Sequence, residues 1–591
     1  MHGIEISNGT VVIHDPTEQR WRLFQRPLQI LEARGCDEVA AVLGEAQQQV
    51  ERQHRYAAGF VAYEAAPAFD AALKVNSAGD FPLAWFGIYA DTQPAPPPAF
   101  SEDGAEPIPW EASVSREEYG AAIKRIKDWI RAGDTFQVNY AYRLRAHFSG
   151  DPWNLFCAMI RAQGPHYGAF VHTREWTICC ASPELFFQLQ GNKLLCRPMK
   201  GTAPRGLWHA HDLRQADWLR RSEKNRAENV MIVDMVRNDL GRIALPGSVQ
   251  VPRLFEVEKY PTLWQMTSTV TCRTKAGIPE IFQALFPAAS ITGAPKVRTM
   301  EIIAELEQTP RRIYTGSIGF LAPDRRAQFN VAIRTVLIDR TRNRAEYGVG
   351  GGIVWDSEDR AEFEECATKA KILTDAVPEF ALLETILWTP AEGYFLLDRH
   401  LDRLAESAAY FSRSVDAAAI RRKLIALPRG LAPCPHRVRV IVPLHGEPIV
   451  ESRAISQTTG VYRLCLAPAP VSSHDPFLYH KTTHRQVYER ALAACPGYDD
   501  VLLWNEKREI TESCIANVAI ESDGRLLTPP VACGLLAGTY RALLLEQKKI
   551  EEAVIRVDDL RAGMKVYLIN SVRGMGEASL TLEAERKQAA P

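Results

Sequence analysis

No apolar run in this 591-residue chain reaches the roughly 20 residues that a membrane-crossing helix needs, so no helical span is expected. The first ten residues lack the basic start and apolar core of a secretory leader. Charge of one sign is also missing. The formal net charge is -1, so no basic field points to nucleic acid or an anionic lipid surface, and neither is expected as a partner. Twelve cysteines are present but scattered, and none forms a Cys-x-x-Cys pair. Cys179 and Cys180 are adjacent, too close for an ordinary bridge. That pattern excludes a disulfide framework and fits a reduced, cytoplasmic chain in which cysteine serves as a small hydrophobe. No internal repeat is visible.

What is present is ordinary for a globular protein, with 46% hydrophobic and 24% charged residues. The length exceeds what one hydrophobic core sustains and predicts two large domains. Residues 94–99, Pro-Ala-Pro-Pro-Pro-Ala, are too proline-rich for helix or strand and read as a connector. A helix follows. Ser115 caps it, Glu118 completes a capping box, Tyr119, Ile123, Ile126 and Ile130 recur at helical spacing, and Gly133 stops it. Strand-like segments come next, among them residues 168–171 and 185–189. A lysine-rich helix ends near residues 373–380, where Pro378 disfavours continuation, and a new strand begins at Ala381. The boundary is placed there, giving domains 1–375 and 380–591.

Several polar clusters interrupt the apolar pattern. Residues 360–371 read as a helix on which Glu362, Glu365 and Lys369 share one face. A solvated face with a Glu365–Lys369 pair explains that spacing. The glycine-dense segment just before it, residues 348–352, suggests instead backbone amides approaching an anion beside carboxylates that hold a hard cation such as Mg²⁺. Residues 225–239 mix Glu228, Asp234, Arg237 and Asp239 with apolar residues. A buried ion-pair network and a functional site are both open readings of that mixture.

Residues 115–372 then carry a series of motifs in order. They are Gly133-Asp-Thr-Phe-Gln-Val-Asn139, Ser182-Pro-Glu184-Leu, Arg197-Pro-Met-Lys200-Gly-Thr202, Arg226-Ala-Glu228-Asn and Arg237-Asn-Asp-Leu-Gly-Arg242. Thr292-Gly-Ala-Pro-Lys296, Tyr314-Thr-Gly-Ser-Ile-Gly319, Ile333-Arg334-Thr335 and the Glu365-to-Lys369 helix complete the series. On these motifs the region resembles the chorismate-utilising enzymes: anthranilate synthase large subunit, aminodeoxychorismate synthase component I, and isochorismate and salicylate synthases. The resemblance implies a two-layer antiparallel β-sandwich edged by helices. It also implies site roles. Glu228 and Glu365 hold Mg²⁺ on the ring carboxylate. Arg334, Tyr314, Lys369, Thr202 and the amides of Gly350, Gly351 and Gly352 grip the substrate, and Glu184 is the general acid. Residues 1–110 are assigned no role beyond membership of this domain.

One residue selects the branch. Anthranilate synthases carry alanine where this chain has Lys200, as the resemblance implies for aminodeoxychorismate synthase. A lysine amine adds at C2 of chorismate and expels the C4 hydroxyl, and ammonia then adds at C4 and expels the lysine, so two displacements replace one difficult one. Anthranilate synthases also place a histidine where this chain has Gln265, which argues against pyruvate loss in this domain and leaves Gln265 without a role. No Gly-x-Cys-x-Gly turn of a glutaminase occurs in the sequence, so ammonia is expected from a separate glutamine amidotransferase or from solution.

The C-terminal third holds a lysine among polar residues, Lys481, which by composition alone is a surface residue. Glu512 lies in a strand-like stretch, residues 534–541 read as a glycine turn opening a helix whose N-terminus binds phosphate, and Arg403 adds a cation upstream. These are the parts of a pyridoxal phosphate site. Their order resembles the fold-type IV pyridoxal phosphate enzymes, which include branched-chain and D-amino-acid aminotransferases and aminodeoxychorismate lyase. The resemblance implies an α+β domain of two subdomains with the cofactor between them, and a homodimer. Lys481 would bind the cofactor and move the substrate proton, Glu512 would face the pyridine nitrogen, and Arg403 with the amides of Thr539 and Tyr540 would hold the phosphate. Lyase and aminotransferase chemistry share these motifs; the preceding domain favours the lyase. The expectation is therefore an enzyme converting chorismate to 4-aminobenzoate for folate synthesis. An anthranilate synthase, a fused aminotransferase and a non-catalytic C-terminal scaffold remain as alternatives.

Overall fold

The computed structural model describes residues 4–98, 108–374, 378–444, 446–456, 460–561 and 563–581. Ala99 of the proline-rich segment and residues 375–377 at the expected boundary lie outside them. The chain divides into two compact units, one of residues 1–204 with 216–377 and one of residues 205–215 with 378–591. The expected boundary gave no sign of that early excursion. The His209–Arg221 helix starts after four intervening residues beyond the Met199–Pro204 strand and runs on past residue 215 into the first unit's share of the chain, and the Pro204-Arg-Gly206 stretch before it is too short to read as a domain linker. No described helix is long and apolar enough to cross a membrane.

The first unit is built on two ten-stranded sheets whose described pairings are all antiparallel. In the Thr10–Asp15 strand all six residues are buried, because both faces of the sheet are covered. Side-chain alternation sends Val11 and Ile13 into the core between the sheets and Val12 to the outer face. The inner core stacks Phe60 on Phe81 and Trp85. Helices lie over both outer faces, beyond the edge placement expected from sequence. Arg116–Ala132 and Pro152–Gln163 cover one sheet; Cys36–Gln53, Glu223–Gly241 and Ile278–Leu285 cover the other.

The Arg116–Ala132 helix begins as its sequence predicts. Ser115 accepts from the Glu118 N–H, the Glu118 carboxylate accepts from the Ser115 N–H, and Gly133 closes the helix at φ +82°. The segment 94–99 differs from expectation. Gln93–Ala95 forms a short edge strand against Arg20–Phe24, with Pro94 opposite Arg22. Proline is tolerated there because an edge strand has a side that needs no N–H. The N-terminal residues left unassigned by sequence supply strands to both sheets: Thr10–Asp15 and Arg20–Phe24 to one, Gln29–Ala33, Tyr56–Val61 and Ala84–Tyr89 to the other.

The second unit has a four-stranded antiparallel sheet, Gly393–Tyr394, Leu382–Thr389, His436–Val442 and Ile449–Ala454, packed on the Leu397–Tyr410 and Ala417–Ala426 helices. An eight-stranded mixed sheet carries Ile510–Ser513 and Asn517–Ser522. The protein is α+β, with two subdomains in this unit.

Candidate active sites

The first unit encloses a cavity of about 560 Å³. Its walls include every residue the sequence nominated there: Glu184, Lys200, Thr202, Glu228, Tyr314, Arg334, Gly350, Gly351, Gly352, Glu365 and Lys369. Lys200 reaches it through a defect in the sheet. On the Met199–Pro204 strand the register jumps from Met199 opposite Thr267 to Thr202 opposite Gln265. Lys200 and Gly201 therefore share one partner position, Met266, which is the two-against-one count of a β-bulge; such bulges re-aim side chains next to active sites. Gly201 takes φ +100°, a conformation that disfavours any residue with a Cβ. Two amides pin the bulge: Asn229 Nδ2 donates to Lys200 O at 3.1 Å and Gln265 Nε2 donates to Gly201 O at 2.8 Å. Gln265, unassigned from sequence, is thus a brace, and Thr202 Oγ1 donates to its Oε1 at 3.1 Å.

The Lys200 amine lies 3.7 Å from Glu228 Oε2. Across the cavity it meets the glycine-dense Arg344–Ile353 strand, where a Cβ on Gly352 would stand 2.6 Å from Lys200 Nζ. A Cβ on Gly348 would stand 2.1 Å from the Tyr314 ring. The glycines therefore make room for protein side chains as well as for a ligand. Pairing with Thr335–Asp339 ends at Val336 opposite Tyr347, so beyond it this strand presents one edge without a sheet partner. Lys369 Nζ donates to Gly350 O there at 2.9 Å.

Glu184 is 4% exposed, and Ser290 Oγ donates to it at 2.6 Å. Burial pushes its carboxyl up to about 7, against the opposing Ser290 hydrogen bond and Lys200 charge. Glu365 behaves oppositely. Burial opposes its ionisation, but Lys369 at 2.7 Å, with Lys200 and Arg334, outweighs that and holds it below its usual value. Arg334 adopts φ +52° and donates to Lys369 O. On the helix Glu223–Gly241, Asp234 pairs with Arg237 in solvent, Asp239 pairs with Lys296 in a half-buried setting, and Glu228 lines the cavity.

Glu362, read from sequence only as sharing the Glu365 helix face, and Gln137, quoted only inside a motif, also stand here. Glu362 lines the cavity and accepts from Ser357 Oγ at 2.6 Å; burial raises its carboxyl. Gln137 is fully buried, neither of its amide atoms has a hydrogen-bond partner, and its Nε2 lies 3.0 Å from the same would-be Gly352 Cβ. Among the described residues no three His, Cys, Asp or Glu side chains converge as a metal cage. A cation on Glu228 and Glu365 would complete its shell with water and substrate oxygen, which is how Mg²⁺ is commonly bound.

The second unit holds a cavity of about 300 Å³ lined by residues of both its sheets, including all five nominated here: Lys481, Glu512, Arg403, Thr539 and Tyr540. Leu383 N–H donates to Lys481 O at 3.0 Å, tying the lysine segment to the Leu382–Thr389 strand. Burial, seconded by the Arg403 charge, lowers the Lys481 amine to about 8. Glu512 is 5% exposed; Tyr488 OH donates to one of its oxygens at 2.8 Å and Asn517 Nδ2 to the other at 3.1 Å. Burial raises this carboxyl to about 7.

At the opposite end Gly538 caps the Thr539–Glu546 helix, leaving its first amides for an anion. Arg403 is held by Glu384, which the sequence did not single out: Arg403 Nε and NH2 donate to it at 2.8 and 2.7 Å. His400 Nδ1 lies 2.7 Å from the same carboxylate, and its Nε2 lies 3.3 Å from Thr539 Oγ1. Burial works against the charge of Glu384, but Arg403 and His400 hold its carboxyl at about 2. A buried lysine, a carboxyl across the cavity and a helix N-terminus beside an arginine fit pyridoxal phosphate, with one partner each for aldehyde, ring nitrogen and phosphate.

Comparison with known proteins agrees with this division. Residues 381–580 match the model of amino-transferase class IV, whose enzymes use pyridoxal phosphate. The aminodeoxychorismate synthase component 1 of Salmonella typhimurium is 42% identical over 262 residues, 44% of this chain and 57% of that protein. An anthranilate synthase component 1 of Haloarcula marismortui is 39% identical over 272 residues, 46% of this chain and 55% of that protein. The chain thus spans somewhat over half the length of these curated relatives. The crystal structure of anthranilate synthase component I from Streptococcus pneumoniae shares the fold, with a TM-score of 0.52 at 23% identity over 63% of this chain and 93% of that one. The model of the chorismate binding enzymes matches residues 9–375, well over half of the 591, and it is to the chorismate binding enzyme family that this chain belongs.

Proposed function

We propose that the chain converts chorismate to 4-aminobenzoate in two steps, aminating it in the first cavity and releasing pyruvate in the second. The observation that carries the first step is Lys200, turned by a bulge into a cavity that also holds a carboxyl with a value near 7.

In the first cavity the Lys200 nitrogen bonds to C2 of chorismate, the ring double bonds shift, and the C4–O bond breaks. Glu184, whose carboxyl burial raises to about 7, gives the departing hydroxyl its proton, so that it leaves as water. Ammonia then bonds at C4, the electrons return, and the C2–N bond to Lys200 breaks. Arg334, Tyr314, Thr202, Lys369 and the amides of Gly350, Gly351 and Gly352 orient the substrate carboxylates, arginine through its paired donors. Glu228 and Glu365 would hold Mg²⁺ on the ring carboxylate, where it neutralises charge. Ammonia comes from a separate glutamine amidotransferase.

In the second cavity bound pyridoxal phosphate supplies an electron-withdrawing ring conjugated to the substrate amine. Lys481 would hold the aldehyde end and would serve as the base for the substrate's C4 proton; its amine, lowered by burial to about 8, suits a proton carrier. Glu512 would face the ring nitrogen, and Arg403, Thr539 and Tyr540 would hold the phosphate. Pyruvate leaves from C3 and the ring becomes aromatic. The soluble substrates and the lack of any apolar crossing helix among the described residues suit a cytoplasmic enzyme.

The test is to give the purified chain chorismate, ammonium and Mg²⁺ and to identify the aromatic product. We expect 4-aminobenzoate and one pyruvate per turnover without a keto-acid acceptor. Lys200→Ala should abolish amination yet leave pyruvate release from supplied aminodeoxychorismate; Lys481→Ala should do the reverse. Anthranilate as product, or pyruvate release that requires an acceptor, refutes the reading.

A further inference from the structure

Six arginines, Arg403, Arg437, Arg439, Arg485, Arg541 and Arg573, line the second cavity, against one acidic residue, Glu512. A cofactor phosphate needs only part of that charge, and four of the six are committed elsewhere. Arg403 is bound to Glu384 at the phosphate end. Arg541, 3% exposed, donates to Pro529 O, Thr528 Oγ1 and Glu552. Arg485 donates to Cys514 O and lies over the Tyr488 ring, and Arg573 is exposed and donates to Tyr462 OH. Arg437 and Arg439 remain. The Nε of Arg437 is buried and has no hydrogen-bond partner, a costly condition that native proteins rarely leave without a reason. Among the described residues Arg439 has an ion pair with Glu451 alone, at 3.8 Å, with both side chains more than a third exposed, which is worth little.

The strand register fixes where these two stand. Leu382–Thr389 touches the Lys481 segment on one edge, through Leu383 N–H to Lys481 O. On the other edge it pairs with His436–Val442, with Thr385 opposite Arg439 and Leu387 opposite Arg437. Directly paired residues share a face, so both arginines stand on the face of Thr385. The path from Lys481 crosses two strand spacings and runs two residues along, which puts the Arg439 Cα on the order of 12 Å from that of Lys481. Each long side chain covers about half that span.

We propose that Arg437 and Arg439 bind the ring carboxylate of the second cavity's substrate and thereby select a 4-amino ring acid over α-amino acids. The inference rests on the lyase reading above. In that substrate the amine is at C4 and the ring carboxylate at C1, on opposite corners. With the amine beside Lys481, the carboxylate lies a ring's length away, toward the strand face that carries both arginines; the guanidinium fork matches a carboxylate in plane. An α-amino acid carries its carboxylate on the carbon that bears the amine, too near Lys481 to reach them.

The full chain, loaded with pyridoxal phosphate, is compared with its Arg437→Gln and Arg439→Gln variants. Each loss of a charged hydrogen bond should raise the KM for aminodeoxychorismate about 10- to 100-fold with kcat within about threefold. The cofactor absorbance should be unchanged. The dissociation constant of 4-aminobenzoate, which keeps the ring carboxylate, should rise by the same factor, while inhibition by pyruvate should not move. Arg437→Lys, which keeps the charge, should recover part of the loss and guards against a folding artefact. Wild-type and variant chains binding 4-aminobenzoate equally, or the wild type not binding it at all, overturns the proposal. A wild-type chain that binds 4-aminobenzoate through both arginines yet releases no pyruvate overturns the lyase reading and leaves the carboxylate site standing.

Discussion

Replacing Glu184 with Gln separates chemistry from stability in one residue. The carboxyl is 4% exposed and sits at about 7 instead of its ordinary 4.5. A carboxyl whose folded value lies above its unfolded one holds its proton more tightly when folded. Its contribution is full below about 4.5 and is lost as pH rises to about 7. At 1.36 kcal/mol per pH unit the loss is about 3 kcal/mol. Glutamine has no such dependence. Relative to wild type, Glu184→Gln should therefore gain about 2.5 kcal/mol between pH 5 and pH 8, read by denaturant unfolding at both. Other buried carboxyls such as Glu512 are common to both proteins and cancel. Amination should fall in the opposite sense. A positioned general acid contributes about 10²- to 10⁴-fold, or about 3–5 kcal/mol of barrier, and the descending limb of the wild-type pH profile near 7 should vanish. A variant within tenfold of wild-type kcat, or one that keeps that limb, refutes the assignment of Glu184 as the acid.

Two further outcomes test the supporting structure. Gly352→Ala puts a methyl group 2.6 Å from Lys200 Nζ and 3.0 Å from Gln137 Nε2; the flexible lysine should yield, costing little in Tm but misplacing the amine and lowering amination about 100-fold, with pyruvate release in the second cavity unaffected, and an unchanged amination rate would sink the geometry. Glu384→Gln leaves Arg403 without its buried counter-charge and should destabilise the second unit by about 3–5 kcal/mol, seen as a lower Tm that added pyridoxal phosphate partly restores; a variant as stable as wild type without cofactor would contradict the pairing.

The legible parts of the chain are those where function requires a residue type within a few positions. The capping box at Ser115, the helix bearing Glu365 and Lys369, and the glycine turn before Thr539 are local, and each formed as read. Lys200 and Lys481 stood out because their neighbours formed motifs, although composition alone places either on the surface. The illegible parts are long-range. Gln265 gained a role only when its strand was laid beside a bulge 64 residues away. Glu384 looked like a polar interruption of an apolar strand until His400 and Arg403 closed on it from a helix. Arg437 and Arg439 alternate with valine, an ordinary half-buried strand pattern, and nothing in that alternation says which face looks into a cavity.

The sequence by itself pointed to a two-part chain, to the residue types that line the two cavities and to the lysine at position 200, because those rest on covalent order and local propensity. Tertiary structure alone decided the direction in which Glu184, Glu365, Lys481 and Glu512 are shifted, the aim of Lys200 and the pairing that holds Arg403. Each of these depends on burial, field and strand register, quantities set by residues tens to hundreds of positions apart that meet only when the chain is folded.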